Sequence, residues 1–242
     1  MRVAVVSDIH ANLAALEAVL AAIDGDAPDE LWCLGDLVGY GPRPSECTEA
    51  VAARAQVCLA GNHDLAVLGK IDLLDFSGDA GDAARWTREV LTPAARGYLE
   101  GLEPLGAAHG VSLFHASARD PVWEYVLSDE AAEATLELVD TPLVLVGHSH
   151  AALQVSLRDG VLEGGLAPAG TELALAPGRV LLNPGSVGQP RDGDPRAAYL
   201  LLDLEAGTAS FRRVEYDIAR TQAETLEAGL PEMLALRLAA GQ

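Results

Sequence analysis

Five short apolar runs in this chain each give way to side chains that can hold a metal ion. Residues 3–6 are followed by Ser7-Asp8-Ile9-His10, residues 31–34 by Gly35-Asp36, and residues 57–60 by Gly61-Asn62-His63-Asp64. Residues 111–114 run into His115, and residues 143–146 into Gly147-His148-Ser149-His150. The sequence has six histidines; five belong to this set and only His109 stands apart. Carboxylate, imidazole and carboxamide groups together form a mixed oxygen and nitrogen donor set, which suits borderline divalent ions such as Mn²⁺, Fe²⁺, Ni²⁺ or Zn²⁺. Each piece alone has an ordinary reading. Asp-x-His can be a turn with a surface histidine, Gly35-Asp36 a simple turn, and Gly61-Asn62 a left-handed one. His-x-His can be two rings on one side of a strand. Their recurrence in order, each at the end of an apolar run, favours one assembled site.

The elements around them must bring the five loops together. A four-residue apolar run bounded by turn or polar residues reads as a buried strand. Between the first two runs, residues 12–23 carry Leu13, Leu16, Leu20 and Ile23 at helical spacing, with Asn12 as the N-cap. Residues 79–91 and 128–139 read as further helices, the second capped by Ser128 with Glu130 and Glu133 near its start. Thr92-Pro93 marks another helix start, an N-cap followed by an N1 proline. Strands alternating with helices predict an α/β architecture. In such folds ligands gather beyond the C-terminal ends of the strands, so the five loops are expected to meet in one crevice. Past residue 150 the pattern changes. Residues 153–157 and 161–162 flank Arg158-Asp159-Gly160 as a hairpin. Residues 179–182, 197–204 and 210–216 read as strands, 218–228 as a helix, and Pro231 opens a last short one. The expected fold is a two-sheet β-sandwich flanked by helices, one domain over 1–242, with the helical, acidic segment 66–106 a candidate lid insertion.

Composition bounds the function. The chain has 242 residues, half of them hydrophobic but only 5% aromatic, so Ala, Val and Leu must build the core. It is long enough to bury that core without covalent staples and too apolar to be disordered. With 16 Lys+Arg against 36 Asp+Glu the formal net charge is −20, which disfavours long nucleic acid as a partner. A small anionic substrate stays open, since a bound metal reverses the local field. Cys33, Cys47 and Cys58 are odd in number, and their gaps match neither a zinc ribbon nor a CxxC pair. The N-terminal apolar run is too short for a secretory signal, and no segment approaches the roughly 18 apolar residues of a membrane span. A cytoplasmic chain without a membrane partner is the expectation. Nothing in the sequence sets an oligomeric state.

The ordered set Asp-x-His, Gly-Asp, Gly-Asn-His-Asp, His, Gly-His-x-His resembles the calcineurin-like metallophosphoesterases. The resemblance is strongest over 3–150 and extends to about 216, and the segments 7–13 and 183–189 resemble the small prokaryotic phosphodiesterase branch. It implies a sandwich of two sheets with helices on both outer faces. It also implies a dinuclear centre: Asp8, His10 and His150 on the first metal, Asn62, His115 and His148 on the second, and Asp36 bridging them. Manganese is expected foremost, with iron, nickel or zinc as alternatives. The implied reaction is in-line attack on phosphorus by a metal-bridging hydroxide. His63 would meet the leaving oxygen as general acid or hydrogen-bond donor.

One departure from the family matters. Protein Ser/Thr phosphatases carry Asp and Arg three and four residues after the bridging Asp, where this chain has Gly39 and Tyr40. The usual phosphomonoester clamp is therefore missing from that place, and the partner that orients His63 is left open, with Asp64 the adjacent carboxylate. Arg191, after Gly185-Ser186-Val187-Gly188-Gln189-Pro190, is the leading candidate for a substrate clamp, ahead of Arg43 and Arg119. Trp123 and Tyr125 could stack on a base or simply pack. The sequence thus predicts a dinuclear metal-dependent phosphoesterase acting on a small phosphodiester or nucleotide-like substrate. A phosphomonoesterase or dinucleoside-polyphosphate hydrolase would use the same metals. A non-catalytic protein-binding scaffold is disfavoured, because all seven ligands and His63 are present.

Overall fold

In the computed structural model, which describes residues 1–76, 78–175 and 178–242, the first apolar run forms strand β1 (Arg2–Val6). Its side chains divide with period two: Val3 and Val5 face one apolar layer, Ala4 and Val6 another. Helix α1 (Leu13–Asp26) starts where Asn12 accepts the Ala15 N–H at 3.2 Å, and it returns the chain so that β2 (Glu30–Cys33) pairs parallel to β1. Helix α2 (Pro44–Ala52) does the same for the two-residue β3 (Val57–Cys58). Then come α3 (Asn62–Leu68), a 3-10 turn at Leu73–Asp75, α4 (Gly78–Val90) and α5 (Pro93–Glu100), the last capped by Thr92. Strands β4 (Leu105–Ala108) and β5 (Val111–Phe114) form a hairpin, and α6 (Asp129–Glu137), capped by Ser128, crosses to β6 (Leu143–Leu145).

The remaining chain is richer in antiparallel pairing. Strands β7 (Ala152–Arg158) and β8 (Val161–Leu166) turn at Asp159-Gly160, both left-handed, as the Asp-Gly signal predicts. They are followed by β9 (Glu172–Ala174), β10 (Arg179–Pro184), β11 (Ala197–Asp203) and β12 (Thr208–Val214). Helices α7 (Ile218–Glu227) and α8 (Glu232–Leu236) and a 3-10 turn at Arg237–Ala240 close the chain.

These strands build two six-stranded mixed sheets, ordered β3-β2-β1-β11-β12-β9 and β4-β5-β6-β10-β7-β8. The change of character near residue 150 does not divide them: each sheet draws strands from both parts of the chain. β1 pairs antiparallel with β11, and β6 pairs parallel with β10. The sheets face each other across Val3, Val5, Trp32, Leu113, Leu145, Leu182, Leu200 and Phe211. Outside the first sheet, α1, α2, α4 and α5 pack on Ala4, Val6, Cys33 and Leu201; outside the second, α6 packs on Val144, Val146 and Leu181. The layers are therefore helix, sheet, sheet, helix, an α/β sandwich. Among the described residues no helix is long and apolar enough to cross a membrane, and the three cysteines are free.

Candidate metal centre

Strands β1, β2 and β3 run parallel in one sheet, and β5, β6 and β10 run parallel in the other. The loops leaving their C-terminal ends converge on one cluster of side chains. From the first sheet come Asp8, His10, Asp36, Asn62 and His63; from the second come His115, His148 and His150. All eight are buried, with at most 4% exposure, which is unusual for so many polar groups unless they are paired or bind an ion. Asp8, His10, Asp36, His148 and His150 hold left-handed backbone, with φ between 49° and 61°. Such strain in non-glycine residues persists only where the surroundings dictate it, and it concentrates at functional sites.

The hydrogen bonds divide each side chain into an anchored atom and a free one. His10 Nδ1 bonds the Val38 carbonyl at 3.0 Å, His115 Nδ1 that of Leu34 at 2.8 Å, and His150 Nδ1 that of Gln189 at 2.6 Å. His148 is held the other way round, by Nε2 to the Trp123 carbonyl at 3.2 Å. A carbonyl can only accept, so these bonds set the tautomers and leave the opposite ring nitrogen of each histidine as a lone-pair donor. The carboxylates follow the same logic. Asp36 Oδ1 accepts the His63 N–H at 2.8 Å and Asp8 Oδ2 accepts the His148 N–H at 3.1 Å. Asp36 Oδ2 and Asp8 Oδ1 are buried without a hydrogen-bond partner among the described residues.

Those free atoms converge. Asp36 Oδ2 lies 3.5 Å from His10 Nε2 and 3.5 Å from His115 Nε2, so it stands between two clusters. On one side, Asp8 Oδ1 is 3.5 Å from His150 Nε2, and the Nε2 atoms of His10 and His150 are 3.0 Å apart. Two lone pairs facing at that distance, beside two orphaned carboxylate oxygens, repel unless a cation sits among them. On the other side, Asn62 Oδ1 is 3.2 Å from His115 Nε2, and Asp36, His115 and His148 form a second group that could hold an ion. The donor set therefore fits divalent cations, with Asp36 common to both groups.

The electrostatics agree. Burial pushes the Asp8 carboxyl up to about 7 and raises Asp36 well above the usual carboxylate range, the latter helped by the charges of Asp64 and Asp8. Burial also lowers His10, His115 and His150 well below the usual imidazole range and takes His148 to about 4. Neutral imidazoles are the ligating form, and carboxylates that resist ionisation alone are stabilised by a cation.

His63 differs from the four anchored histidines. Its Nδ1 is buried with no hydrogen-bond partner among the described residues, and burial lowers its basicity to about 3. Asp64 does not orient it: its oxygens accept the N–H groups of Leu37 at 3.0 Å, Val38 at 3.1 Å and Gly61 at 2.9 Å, which tie the loop after β2 to the start of α3. The ring packs instead against Tyr40 and Phe76, with centroids 4.4 and 4.9 Å away. Arg191 is half-buried at the same mouth. Its Nη2 donates to Gln189 Oε1 at 2.8 Å and to Tyr40 Oη at 3.2 Å. Its charge acts on Asp8, Asp36, His10, His63, His148 and His150 alike.

The other arginine candidates lie elsewhere. Arg43 pairs with Glu224 at 2.9 Å and Glu46 at 3.3 Å, and Arg119 with Glu124 and Glu130, so both are engaged by surface carboxylates. Tyr125 stacks on His148 at 4.1 Å while 47% exposed, and Trp123 meets Phe76 at 5.3 Å. His109 stacks on Trp32 and bonds Glu30. Sequence reasoning passed over Tyr40 except as a departure from a pattern; the glycines on either side of it were the available signal.

The calcineurin-like phosphoesterase superfamily domain matches residues 1–207, and the chain belongs to that superfamily. It is 43% identical to a metallophosphoesterase from Sphaerobacter thermophilus whose crystal structure superposes with a TM-score of 0.91 over 100% of this chain and 99% of that one. It is 37% identical, over 99% of its length and 98% of the relative's, to the uncharacterized protein MJ0912 of Methanocaldococcus jannaschii. A symmetrical bis(5'-nucleosyl)-tetraphosphatase from Actinobacillus pleuropneumoniae is 29% identical over 55% of this chain and 52% of that enzyme. Family and site together make this chain a hydrolase of phosphoric esters with a divalent metal centre.

Proposed function

We propose that the protein is a dinuclear metal-dependent phosphoesterase acting on a small phosphodiester or nucleotide-like substrate. Asp8, His10 and His150 would hold one cation, Asn62, His115 and His148 the other, and Asp36 would serve both. The observation that carries this is the orphaned Asp36 Oδ2 between two sets of anchored ligands. When bound, two divalent cations supply Lewis-acid polarisation of a phosphoryl group and activation of water at neutral pH. Manganese is our first assignment among the divalent ions that mixed oxygen and nitrogen donors accept, with iron, nickel or zinc as alternatives.

The chain's own residues do the rest. Arg191 presents a guanidinium to the non-bridging phosphoryl oxygens and neutralises part of their charge. His63, held beside the cluster rather than in it, donates a hydrogen bond from a ring N–H to the leaving oxygen. Four backbone carbonyls keep the ligating histidines in one tautomer, so little reorganisation is needed when substrate arrives. Gly39 and Tyr40 in place of the phosphatase Asp and Arg favour a diester over a monoester dianion. The similarity to a bis(5'-nucleosyl)-tetraphosphatase favours a second reading, a dinucleoside-polyphosphate substrate at the same centre.

We treat 1–242 as one domain, since the layer between the sheets is continuous. Within 66–106, α4 and α5 bury Ala84, Ala95 and Leu99 in the first sheet's outer layer, so the covering part is the turn that carries Phe76. The free cysteines fit a reducing compartment, and we place the chain in the cytoplasm.

The test is turnover of bis-p-nitrophenyl phosphate against p-nitrophenyl phosphate by protein stripped of metal and reloaded with Mn²⁺. Preference for the diester supports the reading. Preference for the monoester replaces it with a phosphatase whose clamp is Arg191.

A further inference from the structure

The segment Gly39-Tyr40-Gly41 is a tightly constrained stretch of backbone at the site. Gly39 has φ +86° and Tyr40 φ +57°, a conformation tyrosine rarely adopts. A Cβ on Gly39 would stand 2.4 Å from His63 Nδ1, and one on Gly41 would stand 2.3 Å from the His10 carbonyl oxygen. Neither neighbour leaves room for any residue but glycine, so the loop runs directly over residues 10–11 and directly beneath the His63 ring. What the strained backbone delivers is the tyrosine side chain.

That side chain lies between a small apolar layer and the cluster. Away from the cluster it packs with Ala83 and Trp86 of α4 and Leu230 and Leu234 near α8, a small apolar layer of its own. Toward the cluster its ring centroid lies 4.4 Å from that of His63 and 4.7 Å from that of His10. Its hydroxyl accepts from Arg191 Nη2, and the Arg191 guanidinium carbon stands 5.7 Å from its ring centroid. His63 has no carboxylate partner, because Asp64 is spent on three backbone N–H groups and Gly39 occupies the position where an acidic side chain would reach.

We propose that Tyr40 is a positioning residue for the phosphoester reaction: its ring fixes the plane of His63 in place of an orienting carboxylate, and its hydroxyl aims Arg191 at the substrate. The inference rests on the roles proposed above for His63 and Arg191. One strained residue then sets both the leaving-group side and the charge-neutralising side of the site. A tyrosine can do this without adding negative charge beside an anionic substrate, which a carboxylate would.

The two contacts separate experimentally. Y40F removes only the hydroxyl, so with Mn²⁺-reloaded enzyme and bis-p-nitrophenyl phosphate KM should rise about three- to tenfold, with a smaller change in kcat. R191Q should raise KM by more. In the double variant Y40F/R191Q the tyrosine change should add less than about twofold, since its effect passes through the arginine. Y40L removes the ring contact and should depress kcat, more for a phenyl than for a nitrophenyl leaving group, because help to the leaving oxygen matters most when that oxygen is basic. A merely structural tyrosine would not produce this split. Y40F without effect on KM, or with the same effect whether or not Arg191 is present, overturns the inference. Should Y40L not fold, the Y40F and R191Q cycle decides alone. Wild-type enzyme that binds metal but hydrolyses neither ester would instead overturn the phosphoesterase reading beneath it.

Discussion

Asp64 accepts N–H groups from Leu37, Val38 and Gly61, so one buried carboxylate ties the loop carrying Asp36 to the helix that begins at Asn62. Asp64→Ala should destabilise the fold by about 3 kcal/mol or more in chemical denaturation, since three buried donors lose their acceptor. Asp64→Asn, which keeps an oxygen, should recover part of that loss; equal stability of wild type and Asp64→Ala would contradict the assignment. His63→Gln should behave in the opposite way. It should lower kcat by roughly 100-fold while elemental analysis still finds both cations, because the ring lies beside the ligands and not among them; loss of metal would make His63 a ligand. The residues that converge in the crevice were legible in the sequence because they are side-chain types a metal would demand. The groups that orient them were not. The carbonyls of Leu34, Val38, Trp123 and Gln189 are backbone, which any residue supplies, and Asp64 looks in the sequence like one more ligand of its motif.

At the scale of elements, the central strands hold the loops by burying both faces. Leu145, fully buried between the sheets two residues before Gly147, is a direct probe of that support. Leu145→Ala should cost about 2–5 kcal/mol in unfolding free energy. Its effect on kcat should stay small at temperatures where the variant is folded, because the His148 loop has its own hydrogen bonds. The strands at 3–6 and 111–114 and the caps at Asn12, Thr92 and Ser128 were readable from apolar runs and cap chemistry. Others were hidden for identifiable reasons. Strand β4 is Leu-Gly-Ala-Ala, and β9 is three residues long with both ends exposed, so neither carries an apolar alternation. Helix α3 begins on Asn62 itself, so its first turn, Asn62-His63-Asp64, doubles as the motif and reads as a turn. The pairing of β1 with β11, joined across some two hundred residues, has no local signature at all.

For the whole molecule, eight buried polar side chains in one crevice are a load on stability that bound cations should relieve. Chelation should therefore lower the melting temperature and reloading should restore it, by about 2.7 kcal/mol of stability at a hundredfold excess of cation over Kd. A melting temperature indifferent to chelator would mean that the cluster is satisfied without metal. The central claim, two cations sharing Asp36, is tested most directly by titrating Mn²⁺ into stripped wild-type and Asp36→Asn protein while counting bound metal and following bis-p-nitrophenyl phosphate hydrolysis. Wild-type protein should bind two cations per chain, with activity appearing as the second binds. Asp36→Asn should bind both cations more weakly and turn over roughly 100-fold or more slowly. Full activity with a single cation, or an Asp36→Asn variant that binds and turns over like the wild type, would contradict the claim.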